Sequence, residues 1–385
     1  MRLAFICSGL EPGRDGVGDF ARTLARECAA AGHETRLAAV REHGAPGGGL
    51  ARNGELRLND IFRQPGEARA LAAWLREFQP DWVSSHFTPF GFHPRGLGAR
   101  RASLLRELLP PRARRQIMFH EIWLQPGRDG QLRHRALGWA QRRSVDAWAG
   151  AGWQPAVVHT QARLHQARLR ARGIAAELLP LCTTFAEPNI TQTAARAAVT
   201  ELAQAAGKKI DDATFWLGHF GAFHVQGWNF TAFARKMAAQ PNLRGKRVCF
   251  LALGRAAAAK TAFDEAARSV ANADFCVVGE LAEDKVAVAM RACDAAFTST
   301  PWDIIEKSSA VAAWRALGIP VLVTRAGATD AAKLPAWPDP GLLLASGEAP
   351  PNWPTSFAPV PGPSFLHPAE TARTFLSALE NATAS

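Results

Sequence analysis

Short apolar strands and amphipathic helices alternate along this chain, and the alternation runs through twice. Leu3–Cys7 reads as a buried strand, and Asp19–Ala31 reads as a helix with Phe20, Leu24 and Cys28 at i, i+4 and i+8. Gly32 fits the helix stop. Strands follow at 35–40, 82–85, 116–120 and 156–160, with helices near 67–77, 99–109, 131–144 and 163–172. The stretch 178–191 holds Pro180 and Pro188, shows no period, and reads as a connection. Alternation then restarts, with helices at 194–206, 229–237, 258–270, 283–290 and 308–317. The strands of this second run fall at 214–220, 247–253, 275–278, 295–299 and 320–323. A strand followed by a helix, repeated, builds a parallel sheet covered on both faces. The expectation is an α/β chain of two doubly wound, Rossmann-like domains, 1–180 and 192–365, joined by 181–191. The region 335–363 is dense in Pro and Gly and reads as loop. A final helix, 368–379 within the tail 366–385, is placed back on the first domain. Ligands of such sheets sit beyond the carboxyl ends of the strands, and two in tandem are expected to face each other across a cleft.

Composition narrows the classes. A chain of 385 residues suits two domains, with 48% apolar residues to fill their cores. No apolar run approaches the ~20 residues that span a bilayer. Met1-Arg2-Leu3 leads straight into the first strand with no small-residue cleavage site, so no signal peptide is expected. Six scattered cysteines with no CxxC pair read as reduced core residues of a cytoplasmic protein. The net charge of +11 sits in residues 1–185, which hold 27 Arg and no Lys against 16 Asp and Glu. Arg95, Arg100, Arg101, Arg106, Arg112, Arg114 and Arg115 are opposed locally only by Glu107. Such a run suits an anionic partner or an anionic membrane surface, which would place the protein at the inner membrane face. The alternative is a solvated surface of an Ala- and Arg-biased chain. No helix-turn-helix, zinc or RNA-binding signature appears, so no specific nucleic acid is expected.

Three segments carry candidate chemistry. EPGRDGVGDF, residues 11–20, joins the first strand to the first helix, with glycines at 13, 16 and 18. The order is not the dinucleotide fingerprint G-x-G-x-x-G, and Val40-Arg41-Glu42 after the second strand matches that fingerprint poorly. Glycines still let backbone approach a ligand, and a helix N-terminus receives anions. The alternative is a bare turn. In QIMFHEIW, His120 and Glu121 fall where a buried strand ends, and a histidine there can exchange a proton or hydrogen-bond a sugar hydroxyl. Its alternative is a loop histidine held by a carbonyl. In TSTPWDIIEKSSAVAAWRALGIPVLVT, Glu306-Lys307-Ser308-Ser309 stands at a helix start. Either serine can cap the helix, the N–H groups with Lys307 suit a diphosphate, and Glu306 suits a sugar. The alternative is an ordinary capped helix.

Together these segments resemble the large family of bacterial retaining glycosyltransferases of GT-B fold, often called family 4 or group 1, which use nucleotide-sugar donors. PGRDGVGDFARTLARECAAAGH resembles its N-terminal glycine-rich loop and first helix. PDWVSSHFTPFGFHPRGL and IMFHEIW resemble a subgroup of it, and EKSSAVAAWRALGIPV resembles its donor-site helix. The resemblance implies a GT-B architecture, with an acceptor domain first and a donor domain second. It implies that Gly16, Val17, Gly18 and Asp19 face the donor phosphates or the transferred sugar. His120 would stand near the reacting centre, with Glu121 beside it, and Glu306 would stand for the first of two donor-site glutamates. The second should fall near Ala313 or Trp314, and neither can play its role. The family's Arg and Lys after the first strand of the second domain are missing from FGAFHVQGW, residues 220–228; Arg255 and Lys307 are the candidates to replace them.

The implied reaction is retaining transfer of a sugar from a UDP- or GDP-sugar to an acceptor hydroxyl, lipid-linked or otherwise anionic, in glycan or glycolipid assembly. There is no Asp-x-Asp motif and no metal or other cofactor is expected. Two alternatives remain at this point: a GT-B nucleotide-binding protein without turnover, and a nucleotide-sugar epimerase on the same fold.

Overall fold

The computed structural model describes residues 1–384 apart from 43–48, 51–53, 125–131, 151, 206, 209, 212, 224–227, 241–242, 244–245, 255–256, 328–338 and 345–359. The chain divides into two compact units, Met1–Thr184 with His367–Ser385, and Phe185–Leu366. The stretch 181–191 is thus divided between the units at Thr184–Phe185.

The first unit runs β1 (Arg2–Cys7), α1 (Gly16–Ala30), β2 (Glu34–Ala39), β3 (Gly49–Leu50), β4 (Leu56–Arg57), α2 (Pro65–Phe78), β5 (Trp82–Phe87) and α3 (Pro89–Phe92). It continues with α4 (Ala99–Leu108), β6 (Arg114–Phe119), α5 (Leu132–Ala149), β7 (Val157–Thr160), α6 (Arg163–Arg170) and β8 (Glu177–Leu178). Among the described residues these strands form one sheet in the order β3-β4-β2-β1-β5-β6-β7-β8. Only the β3–β4 ladder is antiparallel. Every residue of β5 is buried, as expected of a central parallel strand covered on both faces. One face packs Ile6, Val83, Phe87, Ile117 and Phe119 against α2, α4 and α5 residues such as Leu75, Leu105 and Trp148. The other packs Leu3, Phe5, Trp82 and Met118 under Phe20 and Leu24 of α1.

Helix α1 starts three residues before its periodic pattern, because its first turn is glycine and its cap is Asp15. The Asp15 carboxylate accepts from Val17 N at 3.0 Å and Gly18 N at 3.1 Å. Gly18 is required by packing: a Cβ there would lie 2.8 Å from the Gly9 carbonyl oxygen.

The second unit runs α7 (Gln192–Ala205), β9 (Phe215–Phe220), α8 (Phe230–Ala238), β10 (Val248–Leu253), α9 (Ala257–Ala267) and β11 (Ala273–Gly279). Then come α10 (Glu283–Arg291), β12 (Ala295–Thr298), α11 (Ser309–Ala316), β13 (Val321–Val323) and β14 (Leu342–Leu344). Its sheet is parallel, in the order β11-β10-β9-β12-β13-β14. Strand β14 corrects the reading of 335–363 as loop throughout; three leucines between prolines and glycines are too short to show a period, yet Val321 pairs with Leu342. The last helix, α12 (Pro368–Ala384), belongs to the first unit. Its Phe375 ring lies 5.9 Å from Phe5. Arg114 donates to the carbonyls of Ala382 and Thr383, which complements the negative end of the helix.

Candidate functional site

In the first unit the polar residues gather past the carboxyl ends of β1, β2, β5 and β6. A cavity of about 270 Å3 opens there, among Ser8, Asp15, Arg41, Glu42, Thr88 and Gly91. Glu42 is buried, accepts from Leu10 N at 3.2 Å, and is gripped by Arg57 through Nε at 2.8 Å and Nη2 at 2.5 Å. Arg41 is buried too and donates to the carbonyls of Phe90 at 3.2 Å and Gly91 at 2.7 Å. Burial raises the Asp15 carboxyl above its ordinary value, against the pull of its two amide donors. Gly91 leaves room: a side chain on it would collide with the Ser8 and Thr88 hydroxyls.

The loop at 11–20 is a self-capped turn. Val17 N and Gly18 N, two amides a phosphate would use, are already taken by Asp15, and Gly13 N is taken by Asp19 at 3.1 Å. Asp19 in turn pairs with Arg22 at 3.0 Å, and Arg22 with Glu55 at 2.5 Å. Of the two ligands expected at the Gly16–Gly18 backbone, donor phosphates or the transferred sugar, an anion would face the Asp15 carboxylate. A carboxylate-lined turn suits hydroxyl groups instead.

His120 follows β6 directly and is 3% exposed. Its Nε2 meets His86 Nδ1 at 3.0 Å, and the edge of Phe20 packs on it at 5.3 Å. Burial pushes it down to about 3, so the ring is neutral at ordinary pH. Glu121, next in the chain, is half-buried. The structure therefore brings Phe20 of α1 onto His120, linking the helix after the glycine-rich loop to QIMFHEIW. Sequence reading missed His86, Asp15 and the Arg41–Glu42 pair as members of this edge. Arg41-Glu42 carries a signal, two charged residues directly after a strand, which only its failure as a dinucleotide motif brought to notice.

In the second unit Glu306 and Lys307 close a 3-10 turn, Trp302–Lys307, after β12. Ser308 caps α11, its Oγ accepting from Val311 N at 3.3 Å, and Ser309 opens the helix. Gly221, just past β9 and at φ +86°, puts its Cα within reach of Ala310: a Cβ there would sit 3.8 Å from that of Ala310. The carboxyl end of β9 thus lies beside the first turn of α11. Arg255 lies outside the described residues, as do 224–227 of the FGAFHVQGW stretch. Ala313 and Trp314 are each 1% exposed and face the core. Among the described residues no group of three or more His, Cys, Asp or Glu could hold a metal ion. No helix of the described residues is long and apolar enough to cross a membrane.

No family model and no curated protein matches the chain. Solved structures do. A glycosyltransferase from Rickettsia africae aligns over 98% of this chain and 88% of its own, with TM-score 0.58 and 11% identity. The catalytic domain of starch synthase IV from Arabidopsis thaliana, bound to ADP and acarbose, aligns over 100% and 99%, with TM-score 0.55 and 9% identity. UDP-GlcNAc 2-epimerase from Methanocaldococcus jannaschii aligns over 99% and 100%, with TM-score 0.54 and 10% identity. At these identities the likeness shows the fold: two Rossmann-like α/β domains in tandem, the GT-B class.

Proposed function

We propose that the chain is a glycosyltransferase of the retaining GT-B kind, moving a sugar from a UDP- or GDP-sugar to an acceptor hydroxyl. One observation carries this reading: the Glu306-Lys307-Ser308 group stands before α11 at the carboxyl edge of the second sheet, beside the end of β9. A capped helix start with a lysine suits a diphosphate, and a glutamate beside it suits sugar hydroxyls. In the reaction the acceptor oxygen bonds to the anomeric carbon as the bond from that carbon to the diphosphate oxygen breaks. The acceptor proton passes to the departing diphosphate on the same face. Lys307, Arg255 and the α11 N-terminus, through Ser308 and Ser309, stabilise the charge that collects there. Glu306 accepts from the donor sugar. His120, held neutral, hydrogen-bonds a sugar hydroxyl rather than acting as an imidazolium acid, with Glu121 beside it. Asp19 and the Gly16–Gly18 turn face the sugar. No cofactor enters the proposal, and positive side chains do the work of a metal.

The acceptor reading rests on the surface of the first unit. Arg95, Arg100 and Arg112 are exposed, and so are Leu97, Leu104, Leu132 and Trp139. Arg101 and Arg114 are engaged within the fold, the first over the Phe62 ring at 4.6 Å and the second at the end of α12. A basic surface with exposed apolar side chains suits a lipid-linked or anionic acceptor and peripheral attachment to an anionic membrane from the cytoplasmic side.

The test is a thermal-shift panel of UDP, GDP, ADP, dTDP, CMP and NAD. A ligand at 100 times its dissociation constant adds about 2.7 kcal/mol to folded stability. A shift with one nucleoside diphosphate supports the donor reading and names the base; no shift with any removes it. Donor affinity unchanged in Arg255→Ala/Lys307→Ala would refute their assignment. The full-length fold match to UDP-GlcNAc 2-epimerase favours a second reading, epimerisation at the sugar C2. Product analysis on a nucleotide sugar without acceptor separates the two.

A further inference from the structure

Five buried side chains of the first unit form one hydrogen-bonded row across β5, β6 and β7. His120 Nε2 meets His86 Nδ1 at 3.0 Å, and His86 Nε2 meets Ser84 Oγ at 3.2 Å. The Ser84 hydroxyl donates to Gln116 Oε1 at 2.6 Å, and Gln116 Nε2 meets His159 Nδ1 at 3.1 Å. None of the five is more than 3% exposed. Ser84 and His86 stand at i and i+2 on β5, and the ladder sets Ser84 opposite Gln116. The row lies on the face covered by α1 and α12. Phe20 packs on His120 at 5.3 Å, Phe5 on His86 at 5.9 Å, and Phe375 on His159 at 6.2 Å. A polar row in so apolar a layer is costly unless its members satisfy one another.

Each link holds one proton, so the row has a direction. Gln116 is the member whose two ends differ in kind without any titration: its oxygen accepts and its nitrogen donates. With Oε1 toward Ser84, the single hydroxyl proton of Ser84 is used on Gln116. Ser84 Oγ must then accept from His86 Nε2–H. His86 Nδ1 is therefore bare and accepts from His120 Nε2–H, which leaves the lone pair of His120 on Nδ1. The same amide, donating from Nε2, requires His159 to be bare at Nδ1. Burial keeps all three rings neutral, His120 down to about 3, His159 to about 4 and His86 well below its ordinary value.

We propose that Gln116 is a positioning residue that, through Ser84 and His86, holds His120 in the Nε2–H tautomer, so that Nδ1 is the ring's acceptor. This deepens the glycosyl-transfer reading, in which His120 hydrogen-bonds a sugar hydroxyl. The tautomer itself can be read without substrate. The fixed acceptor would favour one orientation of that hydroxyl, as a partner on one ring nitrogen sets the role of the other.

The experiment is long-range 1H–15N correlation on full-length protein labelled at histidine, with His120→Gln and His159→Gln to assign signals. In the unsubstituted protein His86, His120 and His159 are each expected as a single neutral Nε2–H form. In Gln116→Met both tautomers of His120 appear. In Gln116→Glu, ionised so that it accepts on both sides, His120 stays Nε2–H while His159 turns to Nδ1–H. Ser84→Ala cuts the row at the next link and decides the matter if Gln116→Met does not fold. A His120 protonated at Nδ1 in the unsubstituted protein, or unmoved in folded Gln116→Met and Ser84→Ala, overturns the proposal. Where transfer is measured, kcat falls in proportion to the lost Nε2–H fraction with donor KM unchanged, and Gln116→Glu restores it. A tautomer that follows Gln116, with no transfer from any donor, sinks the glycosyl-transfer reading and leaves the positioning role standing.

Discussion

Three histidines held neutral inside the first unit make that unit labile to acid. In the unfolded chain each imidazole takes a proton near pH 6.5. In the fold, burial holds His120 down to about 3, His159 to about 4 and His86 well below its ordinary value. Between these limits the unfolded state binds more protons, so stability rises with pH and is lost as pH falls below about 6.5. At pH 5 each unfolded imidazole has gained roughly 1.5 pH units of protonation, worth about 2 kcal/mol at 1.36 kcal/mol per unit, while the folded His120 and His159 rings have gained almost nothing. These two rings sum to about 4 kcal/mol and His86 adds in the same direction, a large share of the stability of a typical domain. Asp15 works in the opposite sense, since its raised carboxyl keeps a proton in the fold above the pH at which the unfolded chain loses it. It is one group against the three buried rings, with His33 and His93, also lowered, acting in their sense, and its window starts lower. Urea titrations at pH 8, 7, 6 and 5, followed by far-UV circular dichroism, should show one transition moving steeply with pH. His159→Gln removes one titrating ring and should cut the loss between pH 8 and 5 by about 2 kcal/mol. Equal midpoints at pH 8 and 5, or a variant that keeps the full slope, would refute the reasoning.

Ser308→Ala should lower the stability of the second unit by about 1 kcal/mol through the lost cap. Ser308→Asp should keep that stability and weaken nucleoside diphosphate binding, because its carboxylate takes the place of the anion; urea midpoints and nucleotide-induced thermal shifts check both. Arg315 and Asp339, 1% and 2% exposed, form a buried pair with Nε–Oδ2 and Nη2–Oδ1 at 2.8 Å, and Arg315 also donates to the carbonyls of Ile319 and Val360. Asp339→Ala leaves that guanidinium unpaired and should cost about 3–5 kcal/mol, most of it recovered in Arg315→Met/Asp339→Leu; a loss below about 1 kcal/mol by thermal unfolding would remove the pair from the account of stability.

The parallel sheets are legible in the sequence because their cause is local and repeated: each apolar strand is followed by a helix whose period shows. Strands β3, β4 and β14 are not, because elements of two or three residues have no period to read. The start of α1 is hidden for a related reason, its first turn being glycine and its cap a carboxylate within the loop. The Ser308 cap is legible, since capping depends on neighbours in sequence. The state of His120 is not. His86, Ser84, Gln116 and His159 lie on three separate strands with no shared motif, and only the ladder register of β5, β6 and β7 brings them into one row. The occupant of the loop's amides is hidden on the same ground: the glycines are visible, but the Asp15 side chain that accepts from Val17 N and Gly18 N is placed by the fold.

The second donor-site glutamate that the resemblance implies separates motif from packing most sharply. It would fall near Ala313 or Trp314; Trp314→Glu supplies it at the second of these, and on motif grounds it should strengthen donor binding. The structure requires the opposite. Trp314 is 1% exposed, and its ring occupies the space beside Gly218 of β9, where any side chain would collide with it and with Cys293. Gly218 and Trp314 are thus two halves of one contact, a missing side chain on the strand filled by a large one from the helix. A glutamate in that place removes a buried indole, worth about 3–5 kcal/mol, and sets a carboxyl in an apolar layer. The expected outcome is a second unit that melts well below the unsubstituted protein and gains no affinity for any nucleoside diphosphate. Restoring volume with Gly218→Ala cannot rescue it, because a methyl group replaces only a fraction of the indole. A stable, tighter-binding Trp314→Glu would refute this and show instead that this face of α11 turns toward the ligand.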